Sequence, residues 1–281
     1  MITSLSNNRI KHVAALREKG RERNREGLFL AEGVRMFQEA PVGQIREIYY
    51  SESFLKTTGR RTEEESLRHE KNLEKLALCR ERGIFTEQVS EEVFRKASDT
   101  CSPQGILFVM EQFTYSLDRM LLQAGGQRLF LALEDIQDPG NLGTMLRTGE
   151  GAGVSGVIMS RGCVDIYNPK TIRATMGSLF RVPFVYEEDL GAAAGKLKAH
   201  GIRVYAAHLE GERYYDQIDY PLGSAFLIGN EGKGLKRDTA DLADAYVKIP
   251  MEGKLESLNA AVAAALLLYQ AAGCHRKEKG K

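Results

Sequence analysis

The stretch LFLALEDIQDPGNLGTMLRTGEGAG, residues 129–153, decides the fold. A short apolar run opens it, Asp138, Pro139 and Gly140 turn the chain, a helical segment runs from Asn141 to Glu150, and glycines lead into the next apolar run, GVIMS at Gly156. Strand, turn, helix and strand in that order form the repeating unit of a parallel sheet covered by helices. The alternation continues through VPFVY at Val182, IRVYAAH at Ile202, SAFLIG at Ser224 and AYVKIP at Ala245. Two more helix starts are marked: Asn168 before Pro169 places an N-cap ahead of a proline at the first helical position, and Ser257 opens the apolar SLNAAVAAALLLYQ.

The glycines of GAGVSG, at Gly151, Gly153 and Gly156, have the spacing of a dinucleotide-binding loop. That loop must follow a strand and open a helix, so that pyrophosphate meets the helix N-terminus. Here the glycines end a helix and lead into a strand, so they read as a helix stop and a tight turn, and a nicotinamide enzyme is disfavoured. GNEGKG at Gly229–Gly234 lacks the Gly-Lys-Ser/Thr ending of a phosphate loop, which argues against nucleotide triphosphate hydrolysis.

Outward from this half, the chain has 281 residues, 43% hydrophobic and 27% charged, a globular mixture with room for two domains. The first hundred residues alternate a helix after Ser6, an apolar run at Leu28–Ala31, a helix from Val34 to Ala40, EIYY at Glu47–Tyr50 and GILFVME at Gly105–Glu111. This predicts a small α/β unit. Interleaved acids and bases between Ser53 and Arg82 predict a long exposed helix preceded by a loop. The glycine pair Gly125 and Gly126 marks a linker, which divides the chain into residues 1–113, a linker 114–127, a domain 128–275 and a basic tail 276–281.

Net charge is only +1, yet between Met1 and Arg35 eight Lys or Arg stand against four acids, and the tail HRKEKGK is basic, a distribution that suits phosphate-backbone contact. The four cysteines form no C-x-x-C pair and the five histidines share no ligand spacing with them, so no metal is expected. The absence of a long apolar stretch or a secretory signal predicts a cytoplasmic protein without a membrane span.

Three loops, each after an apolar strand, carry more glycine and polar residues than packing requires. The first holds Asn141, Gly143 and Arg147 around a helix start, at the carboxyl end of a strand, where open α/β sheets bind ligands. An N-cap with a surface arginine explains it equally well. In the second, FLIGNEGKGL, Gly229, Gly232 and Gly234 let backbone approach a ligand around the carboxylate of Glu231. The third, VKIPMEGKLESLNAAVAAALLL, ends a strand at Ile249, Pro250 and Met251, breaks at Gly253 and begins an apolar helix with Ser257, Leu258 and Asn259.

In order and spacing these segments resemble the three signature motifs of the SpoU (TrmH) family of RNA 2'-O-ribose methyltransferases, within the SPOUT superfamily. NPKTIRATMGSLFRVPF at Asn168 is similar to the family's stretch between the first two motifs. FLAEGVRMFQEA at Phe29 and SPQGILFVM at Ser102 resemble the ribosomal-protein-like substrate-binding domain that many members carry, although the charged insert after Ser53 departs from its compact form. The resemblance implies an N-terminal α/β RNA-binding domain and a C-terminal trefoil-knotted SPOUT domain with a parallel sheet.

It also implies S-adenosylmethionine as cofactor, held largely by backbone groups, with contacts at Gly229, Asn230, Gly234, Ile249, Met251 and Leu258. Further implications are a homodimer whose active site draws on both subunits and an RNA substrate, with ribosomal RNA, 23S foremost, favoured over transfer RNA. Family logic makes Arg147 the base. A guanidinium scarcely deprotonates, so Arg147 reads better as a fork that grips the target phosphate and polarises the 2'-hydroxyl, with Asn141, Glu231, Ser257 and Asn259 orienting it and the ribose. A transfer-RNA methyltransferase, an antibiotic-resistance methylase of ribosomal RNA and a non-catalytic RNA or ribosome binder are the alternatives.

Overall fold

The apolar runs become strands because each is short and branched or aromatic, and those at Leu28, Leu129, Gly156, Ile202 and Ser224 are buried along most of their length. The computed structural model describes residues 1–56, 62–126, 128–255 and 257–279. It divides into two compact units, Met1–Phe113 with Tyr167–Phe180, and Thr114–Ile166 with Arg181–Lys281.

In the first unit four strands, β1 (Leu28–Glu32), β2 (Ile45–Tyr50), β3 (Phe85–Gln88) and β4 (Ile106–Glu111), form a sheet in the order β1-β4-β2-β3. β4 pairs antiparallel with β1 and β2, and β3 lies parallel to β2. The helix Asn8–Glu18, capped by the Asn7 side chain on the Arg9 amide, buries Ile10, Val13 and Leu16 in this unit's core. The charged helix is Glu63–Glu81, closed at its start by reciprocal bonds between Thr62 and Glu65. The loop expected before it lies outside the described residues. β3 and the helix Glu91–Ala97 have no counterpart in the sequence reading, because they are short and lack a sustained periodicity.

The segment Tyr167–Phe180 clusters with the first unit although it lies in the sequence of the second half. Aromatic packing accounts for this. The Tyr167 ring lies 4.6 Å from that of Phe29, Phe180 lies 6.2 Å from Phe113, and the Phe113 amide donates to the Tyr167 hydroxyl at 2.7 Å.

The second unit is a seven-stranded, wholly parallel sheet of β5 (Arg128–Leu133), β6 (Gly156–Ser160), β7 (Phe184–Glu187), β8 (Arg203–Ala207), β9 (Arg213–Tyr214), β10 (Gly223–Ile228) and β11 (Ala245–Lys248). The order is β7-β6-β5-β10-β8-β11-β9. All but the two-residue β9 were expected. The chain first builds outward from β5 through β6 and β7, then adds its remaining strands on the other side, so the order reverses between β5 and β10, and all loops following the strands emerge on one edge.

Three local expectations are corrected. The interval read as linker carries the helix Leu117–Gln123, capped by Ser116 and burying Leu117, Met120 and Leu121. The helix after β5 starts at Pro139 with Asp138, not Asn141, as its cap, and it stops as expected at left-handed Gly153 (φ 79°). The last helix runs Ala260–Lys279 and is capped by Asn259, whose Oδ1 accepts from the Ala261 and Val262 amides at 2.9 and 3.2 Å, rather than opened by Ser257. It absorbs the start of the basic tail, whose last two residues lie outside the described residues. No helix among the described residues is long and apolar enough to cross a membrane.

Candidate active site

Because the sheet is parallel, the loops after β8, β10 and β11 meet at one edge, where they enclose a cavity of about 480 Å³. That volume lies within the usual range for a small ligand, roughly 300–1,000 Å³. Its wall is built from Ala207–Glu210, Ile228–Leu235, Val247, Ile249, Met251, Ser257 and Leu258. All six residues expected to contact the cofactor, Gly229, Asn230, Gly234, Ile249, Met251 and Leu258, line it, and so do Glu231 and Ser257.

The loop after β10 folds on itself. Asn230 and Gly234 exchange backbone bonds of 3.1 and 2.9 Å, and the Asn230 side chain accepts from the Gly232 and Lys233 amides at 3.0 and 3.1 Å. Glycine is obligatory at 229 for a steric reason: a Cβ there would lie 2.1 Å from the Gly234 carbonyl carbon and the Leu235 nitrogen. The sequence reading gave Gly229 to ligand approach; the structure shows that its bare backbone first makes room for the loop.

Glu231 fastens this loop to the one after β5. Its carboxylate accepts from the backbone amides of Gln137 and Asp138, both at 3.0 Å, and from Asn141 Nδ2 at 3.1 Å. Asn141 Oδ1 in turn accepts from Asn259 Nδ2 at 2.9 Å. One residue from each of the three loops therefore joins a single chain, Asn259 to Asn141 to Glu231. Burial pushes the Glu231 carboxyl up, but the bonds from the Asp138 amide, the Asn141 side chain and the Gln137 amide outweigh it and hold the group below the ordinary carboxylate range. Glu231 is thus an ionised anchor at neutral pH, not a proton donor.

Arg147 is not part of this chain. It stands exposed on the helix Pro139–Ala152, outside the cavity wall, and makes no hydrogen bond or ion pair among the described residues. Six residues separate it from Asn141, about 9 Å of helix and about a third of a turn around the axis. Ser257 is exposed at the cavity, and its hydroxyl makes no hydrogen bond among the described residues. The sequence reading missed Gln137 and Asp138, which act through backbone amides and carry no side-chain signature, and the Ala207–Glu210 wall, whose only signal was its place after a strand.

The residues present suit S-adenosylmethionine. The cavity is lined by the apolar side chains of Ile228, Val247, Ile249, Met251 and Leu258, and the glycine loop exposes backbone donors and acceptors beside them, a combination able to exclude water from an adenosine while reading its edge.

Comparison with known proteins gives a consistent picture. Residues 128–269 match the SpoU rRNA Methylase family and residues 7–107 the MRM3-like substrate binding domain. The chain is 32% identical over 97% of its length to the 23S rRNA (guanosine(2553)-2'-O)-methyltransferase RlmP of Bacillus subtilis, covering 99% of that protein. The AdoMet-bound rRNA methyltransferase of Sinorhizobium meliloti superposes with a TM-score of 0.79 at 31% identity, over 96% of both chains. AviRb of Streptomyces viridochromogenes, solved in complex with the cofactor AdoMet, gives 0.80 at 26% identity over 98% of this chain and 100% of that one.

Proposed function

The chain belongs to the SpoU rRNA methylase family, and from that premise we propose that it methylates a ribose 2'-hydroxyl of ribosomal RNA, within 23S rRNA, with S-adenosylmethionine as methyl donor. The observation that carries the reading is the Asn259–Asn141–Glu231 chain, which joins all three signature loops and reaches the cavity wall at Glu231. The likeness to RlmP along nearly the whole of both chains supports 23S rRNA as the substrate, and the match of residues 7–107 to a substrate-binding domain supports RNA recognition by the first unit.

S-adenosylmethionine supplies a methyl group made electrophilic by its sulfonium. The chain's own residues hold and orient. Gly229, Asn230, Gly234, Ile249, Met251 and Leu258 form the cofactor cradle. Glu231, kept ionised, fixes the Asn141 carboxamide so that its NH2 faces the carboxylate and its oxygen faces Asn259. Ser257 and Asn259 orient the ribose. Arg147, a guanidinium with no hydrogen bond or ion pair among the described residues, grips the target phosphate and polarises the 2'-hydroxyl, whose proton leaves to phosphate or water. Most of the acceleration comes from positioning, worth on the order of 7–11 kcal/mol when two reactants are held in reacting geometry.

Family membership supports a trefoil knot in the second unit, a cytoplasmic enzyme and a homodimer. For the dimer there is a further support: Arg147 stands apart from the cavity, as it would if a second copy completed the site, and Val262 and Tyr269 expose apolar surface on the last helix, at 48% and 50%. The test is transfer of labelled methyl from S-adenosylmethionine into ribosomal and transfer RNA from cells lacking the gene, followed by mapping of the modified nucleotide. Incorporation at one 23S position is the expected result. Incorporation confined to transfer RNA overturns the substrate, and cofactor binding without transfer to either pool overturns the reaction.

A further inference from the structure

We propose that Asp135 and Lys236 are positioning residues for the cofactor: their ion pair latches the loop 229–236 onto the end of β5 and thereby sets the affinity for S-adenosylmethionine. The inference rests on the functional reading above and adds two residues outside its motifs.

Asp135 follows β5 with φ +52°, in the left-handed region that a residue other than glycine occupies only when its surroundings over-determine it. The surroundings do so at every polar atom. The Asp135 amide donates to Ser160 Oγ at 2.9 Å, and that hydroxyl donates back to Asp135 Oδ1 at 2.8 Å. Lys236 Nζ donates to Oδ2 at 2.7 Å, and the Asp135 carbonyl accepts from Asn230 Nδ2 at 2.8 Å. Space for the carboxylate is reserved by Gly162, where a Cβ would stand 2.0 Å from Oδ1. The neighbouring Glu134 carboxylate, only 4% exposed, accepts from the Lys236 amide at 2.8 Å and from the Thr239 hydroxyl.

The loop is therefore pinned at both ends by two consecutive residues, Asn230 by the Asp135 carbonyl and Lys236 by both carboxylates. Lys236 itself is 67% exposed. An ion pair with so exposed a partner adds little to global stability. The positive φ of Asp135 brings its carboxylate to Lys236 and its carbonyl to Asn230, and both interactions fix where the cavity wall sits. A wall held in place before the ligand arrives avoids the entropy of ordering it on binding.

The experiment uses the full chain and calorimetric titration with S-adenosylhomocysteine. Lys236→Met and Asp135→Asn, the latter a residue that tolerates left-handed backbone, should each raise Kd about tenfold, the population cost of a loop free to open. Lys236→Arg should return Kd to within about twofold of the wild type, since it restores the charge at the same carboxylate. The melting temperature of all three should stay within about 3 °C, and KM for S-adenosylmethionine should rise more than kcat falls. Wild-type binding with unchanged Kd in both weakened variants overturns the latch, as does a loss of Kd matched by a large drop in melting temperature without rescue by arginine. A wild type that does not bind S-adenosylhomocysteine overturns the functional reading instead.

Discussion

Lys75 in the first unit and Glu231 in the second are the same device with opposite sign. Lys75, on the charged helix, donates to the carbonyls of Gln38 and Ala40 at the end of the helix Val34–Glu39. Glu231 accepts from the amides of Gln137 and Asp138 at the start of the helix Pro139–Ala152. Each lets a charged side chain satisfy backbone groups that a helix end leaves orphaned. Lys75 spends its bonds on carbonyls alone, and the interaction ends there. Glu231 keeps a bond for the Asn141 side chain, and through it orders Asn259. A latch becomes part of a site when one of its partners has a second polar atom to pass the orientation on.

The largest effect expected is from Arg147→Ala, which removes the one cationic fork assigned to the substrate: methyl transfer should fall by about 10²–10³-fold or more, while cofactor Kd and melting temperature stay near wild type. Retained turnover takes Arg147 out of the reaction. Next is Gly229→Val, which drives a side chain into the Gly234–Leu235 backbone; calorimetry should find cofactor binding lost, with destabilisation of about 1–3 kcal/mol from overpacking. An unchanged Kd shows that the loop can move aside.

Glu231→Gln tests the second latch directly. It should lower unfolding free energy by about 1–3 kcal/mol at neutral pH, since the amides it serves lose a charged acceptor. The folded carboxyl titrates below its ordinary value near 4.5, so its contribution is complete above that value and is lost as pH falls through the folded one. In chemical denaturation the gap between wild type and variant should hold from pH 7 to about 5 and close below; a gap that is flat with pH means the charge is irrelevant.

The smallest effect belongs to the first latch. Lys75→Met should cost about 1 kcal/mol and leave methyl transfer by the folded enzyme as it was. Burial pushes the Lys75 ammonium down to about 8, against the pull of Cys79 and Glu39, so the folded state gives up this proton before the unfolded chain does. The penalty fades as pH rises from about 8 to 10.5, and wild type should gain on the variant across that window. A shift in turnover with Lys75→Met breaks the contrast between the two latches.

The parallel sheet was legible because its central strands β5, β6, β8 and β10 are buried on both faces and read as continuous apolar runs, whereas β9, at two residues, has no pattern to read. In the site, Asn141, Glu231 and Asn259 could be singled out because uncompensated polar residues beside glycines exceed what packing needs. Their roles were less visible. Asp138 and Asn259, both read otherwise, turn out to be the caps, since a cap is fixed by which amide a side chain reaches. The amides that hold Glu231 and the left-handed backbone of Asp135 depend on pairing between segments distant in the chain, and no local window contains them.

That distance orders events at the ribosome. Glu134 finds Thr239 across 105 residues and Asn141 finds Asn259 across 118. A nascent chain that has emerged as far as β8 already carries the loop after β5 and its partner Ser160, yet Glu231, Lys236, Thr239 and Asn259 are still unmade, so docking of the later loops must await nearly the last helix. The enzyme thus passes through most of its synthesis without a cofactor cavity and acquires one only after the wall residues Ile249 to Leu258 have been made.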